Sequence, residues 1–308
     1  MSLAIFIDIK LYFVYNVLKY FLKGYKQMIS LDAHAKINLS LDVLNKREDG
    51  YHNLQMIMQT LQLHDTISIQ KITAGVEINC DAPYVPNNNT NIAYKAAEAM
   101  INKYKLDAGV KIVIDKRIPV AAGLAGGSTD AAAVLKGINT LFKLGIDQNE
   151  LMEIGKSIGA DVPYCIMGGT ALAEGIGEKL TPLKPFDNIP ILLIKPRIGV
   201  STAWVYKNLN LDRVVERPNT EMLISALEKR DIRYIAKNMG NVLESVTLTK
   251  YPMIDKIKKI IVEKGAIGSM MSGSGPTVFG IFEDKEKARS AYNKLRYGMN
   301  DCILTYTM

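Results

Sequence analysis

The sequence predicts an α+β protein of two domains. Predicted strands and predicted helices occur in both halves of the 308 residues, which favours an α+β arrangement over a doubly wound parallel sheet. Pro182, Pro185 and Pro190 interrupt the chain within a short stretch, so we place a domain boundary near residue 186. Hydrophobic residues make up 48% of the chain, which is enough for a substantial core.

The first half opens with predicted strands. Apolar and polar residues alternate over Ile37–Leu44, which is the pattern of a half-buried strand. After the turn-forming residues Asn45–Gly50, the pattern predicts that an antiparallel sheet continues at Tyr51–Leu63 and Thr66–Gln70. A further strand is predicted at Val110–Asp115.

Three helices are predicted in the same half. Ile92–Tyr104 follows an asparagine-rich loop, with Thr90 or Asn91 as its N-cap. The alanine-rich segment Thr129–Leu141 and the segment Asp147–Ile158 are the other two, and Asp147 is expected to cap the latter.

Apolar runs predict the elements that follow. Two of them, Val162–Met167 and Thr170–Ala173, are expected to form buried strands on either side of Gly168 and Gly169. Beyond the boundary, several helices, including Lys285–Leu295, are predicted to accompany three strands: Ile191–Ile194, Thr277–Phe282 and Cys302–Tyr306.

Residues 1–27 differ in character from the rest of the chain. Their longest apolar run, Leu11–Tyr15, is far shorter than a membrane span, and no signal-peptide pattern is present. On a helix, four residues would line one polar face: Asn16, Lys19, Lys23 and Lys26. Such a helix could touch a membrane surface or dock on the protein itself. We favour a third reading, in which residues 1–27 are an extension outside the conserved fold and Met28 is the natural start.

Charge and cysteine content narrow the class of partner. A net charge of +7 is compatible with nucleic acid, a membrane surface or phosphate-rich ligands. No run of Lys and Arg with interleaved aromatics is present, so we expect no nucleic-acid partner. The short apolar run in residues 1–27 leads us to expect no stable membrane insertion. Cys80, Cys165 and Cys302 lack zinc-site spacing, which indicates a reducing cytoplasm and no structural metal.

A glycine-rich loop carries the strongest functional signal. It runs directly into a predicted helix and comprises Pro119, Val120, Ala121, Ala122, Gly123, Leu124, Ala125, Gly126, Gly127, Ser128 and Thr129. Glycines allow backbone N–H groups to approach a ligand, and a helix N-terminus adds unpaired N–H groups and a favourable dipole. The segment therefore predicts a loop that holds nucleotide phosphates; the alternative is a flexible connector or a packing turn.

The loop lacks a lysine of its own, so it is not the common P-loop. A kinase built on it needs a cation and a base from elsewhere. Lys36, a lone cation at the start of an apolar strand, is one candidate, although most lysines are surface charges. Asp161 is the other, because it stands between small residues and an X-Pro step that we expect to be extended; alternatively it caps a turn.

A second glycine-rich loop, Met271–Thr277, lies between two apolar segments and could pack against the first loop or against phosphate. The lysine-bearing strand and the two loops, in this order and spacing, resemble the GHMP kinases, and the likeness runs from about Ile29 to the C-terminus. The resemblance implies a nucleotide-binding domain over residues 28–186 with a mixed sheet and helices. It also implies a ferredoxin-like α/β sandwich over residues 187–308.

Within this family, the segment Asp49-Gly-Tyr-His52 is the discriminating feature. It resembles the members that transfer the γ-phosphate of ATP to the 2-hydroxyl of a diphosphocytidyl methylerythritol, in the non-mevalonate route to isoprenoids. Another GHMP kinase, of mevalonate or homoserine type, and a non-catalytic basic binding module on the same fold remain the alternatives. The resemblance implies ATP with Mg²⁺, an ion held mainly by the nucleotide. We expect a monomer or a weak homodimer.

The resemblance also implies roles for individual residues. Asp161 matches the catalytic base and Lys36 its electrostatic partner, while the glycine-rich loop would wrap the triphosphate. Asn91 would lie near adenine, and Asn38 would help to hold the acceptor.

The remaining implied roles concern cytosine. His52 would read its edge, with Tyr51 and Tyr206 as stacking rings. Trp204, two residues before Tyr206, is a rival for the second ring. A pyrimidine needs flat partners and a group that can donate and accept hydrogen bonds, which an aromatic ring and a histidine supply together.

Overall fold

The structure is a computed structural model that describes residues 28–298 and 301–308. The interpretation of residues 1–27 lies outside the described residues. Within those ranges, no helix has the length and apolar character that crossing a bilayer requires.

A seven-stranded sheet forms the first structural layer. Two long antiparallel strands, β1 (Met28–Lys46) and β2 (His52–Ile72), make its centre. Their pairing shifts register near Lys36 and again near Asn38, as at β-bulges, which often lie next to functional sites. The other strands are β3 (Val76–Cys80), β4 (Gly109–Asp115), β5 (Thr170–Gly175), β6 (Lys179–Pro182) and the short β8 (Gly240–Asn241). The path runs β3-β4-β2-β1-β8, and β5 pairs with both β2 and β6.

Helices cover one face of this sheet: α1 (Ile92–Tyr104), α2 (Gly126–Phe142), α3 (Gln148–Ile158) and α4 (Val162–Met167). Alanines on α1 and α2 are buried together with apolar strand residues, and their small side chains allow close packing. The Asn91 side chain accepts a hydrogen bond from the N–H of Ala93, and Asp147 accepts one from Glu150. Both predicted N-caps are therefore confirmed, and Asn91 rather than Thr90 caps α1.

The prediction of a strand at Val162–Met167 is wrong, because this segment forms α4. Pro163 lies in the first turn of α4, where a missing N–H costs nothing, so the X-Pro step is helical rather than extended. Gly168 ends the helix at a φ of 72°. A run of six apolar residues cannot separate a buried strand from a short buried helix by periodicity.

A four-stranded antiparallel sheet forms the second part of the molecule. It contains β7 (Pro190–Lys195), β9 (Gly268–Met271), β10 (Val278–Ile281) and β11 (Asp301–Tyr306), in the order β11-β7-β10-β9. Counted along the chain, this is the 4-1-3-2 order of a ferredoxin-like sandwich. Its helices are α5 (Thr202–Asn208), α6 (Thr220–Glu228), α7 (Ile232–Asn238), α8 (Glu244–Lys250), α9 (Met253–Glu263) and α10 (Lys285–Leu295). The predicted α+β class with two sheets is confirmed.

The two sheets are joined by a shared core. Ile37 and Leu39 of β1 pack in one apolar cluster with Leu193 of β7 and Phe279 of β10. The short β8 lies within the second half of the chain yet pairs in parallel with β1. This junction brings the lysine-bearing strand close to both glycine-rich loops.

Candidate active site

One cavity of about 1100 Å³ lies where the predicted segments meet. Its size suits two substrates, since single-ligand pockets are commonly about 300–1000 Å³. Most of the predicted site residues line it: Lys36, Tyr51, His52, Asn91, Pro119, Val120, Ala121, Ala122, Gly123, Ala125, Gly126, Gly127, Ser128, Asp161 and Tyr206. Three others, Asn38, Leu124 and Thr129, are buried behind its wall.

The glycine-rich loop adopts a strained, specific conformation. Ala121, Gly123 and Ala125 have φ values of 52°, 75° and 59°, a left-handed region that alanine rarely adopts. A Cβ atom on Gly123 would lie 2.3 Å from the carbonyl oxygen of Ser272. This close approach explains why the position is glycine.

The end of the loop is the first turn of α2, which begins at Gly126 rather than at the predicted Thr129. The N–H groups of Gly126, Gly127 and Ser128 have no partner inside the helix, whereas that of Thr129 donates to Ala125 O. Unpaired N–H groups and the helix dipole favour an anion at this end of the cavity.

Two side chains of the loop are buried in the protein and do not line the cavity. Leu124 is 1% exposed and belongs to the core between the sheets. The Thr129 hydroxyl donates to the carbonyl of His34 at 2.8 Å and is buried, so it is not directed at the cavity. Neither side chain lines the cavity, and Thr129 instead ties α2 to β1. The expectation that both residues help to wrap the triphosphate stays a prediction.

The second glycine-rich loop braces the first. The Ser272 hydroxyl donates to Gly123 O at 2.9 Å, and the N–H of Thr277 donates to Ala122 O at 3.4 Å. Gly273 and Ser274 reach the cavity wall. Of the two roles left open by the sequence, packing against the first loop is the one that these contacts provide.

Lys36 and Asp161 form an ion pair in the wall of the cavity. The Lys36 side chain is 6% exposed, and its Nζ lies 3.8 Å from Asp161 Oδ2. Asp161 precedes α4 without making a capping hydrogen bond, which contradicts the alternative that it caps a turn. Its side chain is 37% exposed, so the carboxylate is open to a substrate hydroxyl. A carboxylate so placed can accept a proton, and the ammonium can stabilise charge on the attacking oxygen.

Asn38 acts on Lys36 rather than on the cavity. It is fully buried, its Oδ1 accepts a hydrogen bond from Lys36 Nζ at 3.0 Å, and its Nδ2 contacts the sulfur of Met56. Asn38 is thus placed to orient the ammonium of Lys36, and the expectation that it helps to hold the acceptor stays a prediction.

Two tyrosines and a histidine form another part of the cavity lining. The rings of His52 and Tyr206 are 5.3 Å apart with an interplanar angle of 34°, and Tyr51 is 61% exposed. Burial, and secondarily Lys46, lower the pKa of His52, which favours a neutral imidazole with one donor and one acceptor. The rival ring, Trp204, lies outside the cavity lining. Its ring packs against Lys250, whose Nζ is 3.8 Å from the ring centroid.

Asn91 forms part of the cavity wall. Its oxygen is used by the N-cap of α1, and its amide donates to Pro86 O at 2.9 Å. Both groups are thus engaged by the protein, and Asn91 shapes the wall together with Ile92 and Val120.

A buried charge cluster at the same wall was not predicted. Lys116, three residues before Pro119 of the loop, forms ion pairs with Asp65 and Asp130, and both Lys116 and Asp130 line the cavity. The signal in the sequence was an acid among alanines on the buried face of a helix. Its partners could not be assigned, because Asp65 is 51 positions from Lys116.

No group of three His, Cys, Asp or Glu side chains among the described residues is arranged to hold a metal ion.

Two family models match the chain. The one described as "GHMP kinases N terminal domain" matches residues 91–169, and the one described as "GHMP kinases C terminal" matches residues 223–301.

Curated relatives extend the similarity over most of the chain. The 4-diphosphocytidyl-2-C-methyl-D-erythritol kinase of Acetivibrio thermocellus is 57% identical over 282 residues, which cover 92% of this chain and 100% of the relative. The enzyme of that name from Clostridium botulinum strain Loch Maree is 53% identical, with 90% and 99% covered.

Solved structures show the same similarity. A crystal structure of 4-(cytidine 5'-diphospho)-2C-methyl-D-erythritol kinase has a TM-score of 0.79 and 31% identity, covering 91% of this chain and 99% of the other. The homoserine kinase from Cytophaga hutchinsonii, at 19% identity and a TM-score of 0.74 with 92% and 95% covered, shares the fold. The chain belongs to the GHMP kinase family, in the group of the 4-diphosphocytidyl-2-C-methyl-D-erythritol kinases.

Proposed function

We propose that this protein transfers the γ-phosphate of ATP to the 2-hydroxyl of 4-diphosphocytidyl-2-C-methyl-D-erythritol, a step of the non-mevalonate route to isoprenoid precursors. The observation that carries the proposal is one cavity lined by a helix terminus suited to anions, by the Lys36–Asp161 pair and by His52 and Tyr206. The Lys36–Asp161 pair adjoins both groups, because the Lys36 N–H donates to Leu124 O of the glycine-rich loop, and burial and secondarily the Asp161 carboxylate raise the pKa of Tyr206. A phosphoryl group would pass from donor to acceptor at this pair.

Asp161 is proposed as the general base. Its carboxylate takes the proton of the acceptor's 2-hydroxyl as the oxygen attacks the γ-phosphorus, and the bond to the leaving ADP oxygen breaks. Lys36, held by Asn38, stabilises the negative charge that develops on the attacking oxygen. Positioning and electrostatic stabilisation account for most of the catalysis of phosphoryl transfer, so fixed charges in a buried site suit this reaction.

ATP is proposed to place its phosphates on the first turn of α2 and on the loop from Pro119 onward, with its base near Asn91. Mg²⁺ would enter with ATP as part of the substrate, because the described residues provide no cluster of metal ligands. The ion, when bound, offsets phosphate charge; the chain's own part is to orient the triphosphate through backbone N–H groups.

The acceptor is proposed to place its cytosine at His52, between Tyr51 and Tyr206. A neutral imidazole can donate to or accept from the pyrimidine edge, and the two phenol rings offer flat apolar surfaces. Tyr206, which lines the cavity, is better placed for stacking than Trp204.

We further propose a division into a nucleotide-binding domain (residues 28–186) and a second domain (residues 187–308), preceded by an extension at residues 1–27. The protein would act in the cytoplasm as a monomer or a weak homodimer.

Comparison of three alcohols tests the proposed function. Phosphate transfer from ATP to the diphosphocytidyl substrate, to mevalonate and to homoserine would be measured under identical conditions. We expect turnover with the diphosphocytidyl substrate alone. Turnover with mevalonate or homoserine, and none with the cytidyl compound, would refute the proposal.

A further inference from the structure

A buried cluster of one cation and two carboxylates lies in the wall next to the glycine-rich loop. Lys116 Nζ donates to Asp65 Oδ2 and, at 2.9 Å, to Asp130 Oδ2. The exposed fractions of the three side chains are 6% for Lys116, 0% for Asp65 and 4% for Asp130. Burying charges is costly unless they are paired, so this cluster requires an explanation beyond chance placement.

The two carboxylates of the cluster are not equivalent. Asp65 is saturated, because its Oδ1 also accepts hydrogen bonds from the N–H groups of Arg117 and Ile118 at 2.6 and 2.8 Å. Asp130 is not: its Oδ1 is buried and has no hydrogen-bond partner in the structure. Buried polar atoms are nearly always paired, which singles out Asp130 as an incomplete part of the wall.

The ammonium of Lys116 lies at the start of α2. Its Nζ is 3.1 Å from the position that a Cβ atom on Gly126 would occupy, and both residues line the cavity. The Lys116 ammonium has three N–H donors, and two of them donate hydrogen bonds to the carboxylates. The third is left for a ligand bound at the unpaired N–H groups of Gly126 and Gly127. A lysine is thus present at the loop, although the loop itself contains none.

We propose that Lys116 supplies the cation that the glycine-rich loop lacks and contacts the nucleotide phosphates, and that Asp65 and Asp130 are positioning residues which hold its ammonium at the first turn of α2. This inference rests on the proposed function only in requiring that ATP binds at this loop.

Charge balance gives the cluster a distinctive pH dependence. Burial is the main reason that the pKa of Asp130 rises to about 8, with Asp65 raising it further and Lys116 opposing the rise. Two thiols near Asp130, Cys80 of β3 and Cys165 of α4, stay neutral because burial raises their pKa values as well. As the pH rises through about 8, ionisation of Asp130 adds a negative charge beside the proposed phosphate site and opposes ATP binding.

Calorimetric binding of a non-hydrolysable ATP analogue with Mg²⁺, without acceptor, tests the role of Lys116. We expect Lys116→Met to weaken binding by roughly tenfold to a hundredfold, the usual range for one charge-assisted hydrogen bond. Lys136→Met is the matched control: Lys136 is half-buried in α2, outside the cavity lining, and its pKa is lowered by burial. It should leave binding unchanged. The loss of affinity caused by Lys116→Met should be smaller for adenosine, which has no phosphates. Equal losses of affinity for adenosine and for the ATP analogue would overturn the proposal that Lys116 contacts the phosphates.

Asp130→Asn supplies a second test if Lys116→Met folds poorly. Asparagine has the shape of the protonated acid and cannot ionise, so binding near pH 7 should match that of the unaltered protein. Between pH 7 and pH 9 the unaltered protein should lose affinity while the variant retains it. Parallel pH profiles for the two proteins would overturn the positioning role, because a purely structural aspartate would not create that difference. Acceptor turnover is absent from both experiments, so failure of the proposed function would be seen separately.

Discussion

Asp161→Asn isolates the proton-accepting role of the carboxylate. The substitution keeps the size and planar shape of the side chain but removes a base that can take a hydroxyl proton. Asp161 is 37% exposed and makes no capping bond, and its contact with Lys36 is 3.8 Å long. The variant should therefore fold normally, because a partly exposed ion pair of this length contributes about 1 kcal/mol or less to stability.

General-base catalysis supplies about 10²–10⁴-fold in rate, equivalent to roughly 2.7–5.5 kcal/mol of barrier height. We expect the single-turnover rate of phosphate transfer from ATP to the diphosphocytidyl acceptor to fall by at least the lower figure. Affinity for the ATP analogue should stay within about twofold, since the proposed phosphate site is the helix terminus and not Asp161.

Asp147→Asn is the control of matched chemistry. Asp147 caps α3 at the surface, and asparagine caps helices about as well as aspartate. Its transfer rate should equal that of the unaltered protein. An Asp161→Asn rate close to that of the control would refute the assignment of Asp161 as base.

Three further substitutions test other parts of the site. Lys36→Met should lower kcat by about 10²–10³-fold with little change in the KM for ATP. If only the KM for ATP changed, Lys36 would be a nucleotide ligand and not the electrostatic partner of Asp161. His52→Ala should raise the KM for the acceptor by roughly five- to a hundredfold, the range for one lost hydrogen bond in a desolvated contact, while His64→Ala, outside the cavity lining, should not. Equal effects of the two histidine variants would contradict cytosine recognition. Gly123→Ala should lower the free energy of unfolding by about 1–3 kcal/mol more than Gly75→Ala, because both have a φ of +75° but Gly75 has no atom within 4 Å of the new Cβ. Similar midpoints of urea unfolding for the Gly123→Ala and Gly75→Ala variants would contradict this prediction, because they would show that the loop accommodates the new Cβ atom.

Local patterns in the sequence were sufficient for much of the fold. Alternation of apolar residues marked β1, and the side chains of Asn91 and Asp147 marked two helix starts, because a cap is a contact between near neighbours in the chain. The segment Val162–Met167 was predicted wrongly because its helix has only six residues, too few for a 3.6-residue period to emerge.

The candidate site followed a similar division. Residues that carry a motif, such as Lys36 and the glycine-rich loop, were found from the sequence and are brought together at one cavity. The contacts that support them were not found: the hydrogen bond from Lys36 to Asn38 was not predicted, and the Asp65–Lys116 pair joins distant positions. Such contacts depend on how strands and loops pack, which no local pattern encodes.

A crystal structure with the diphosphocytidyl acceptor and a non-hydrolysable ATP analogue would test the central claim most directly. The account predicts that the acceptor's 2-hydroxyl oxygen lies about 2.6–3.2 Å from a carboxylate oxygen of Asp161, as a general base requires. It also predicts cytosine at His52 and the γ-phosphate at the first turn of α2. A 2-hydroxyl beyond reach of Asp161, or cytosine bound away from His52, would contradict it.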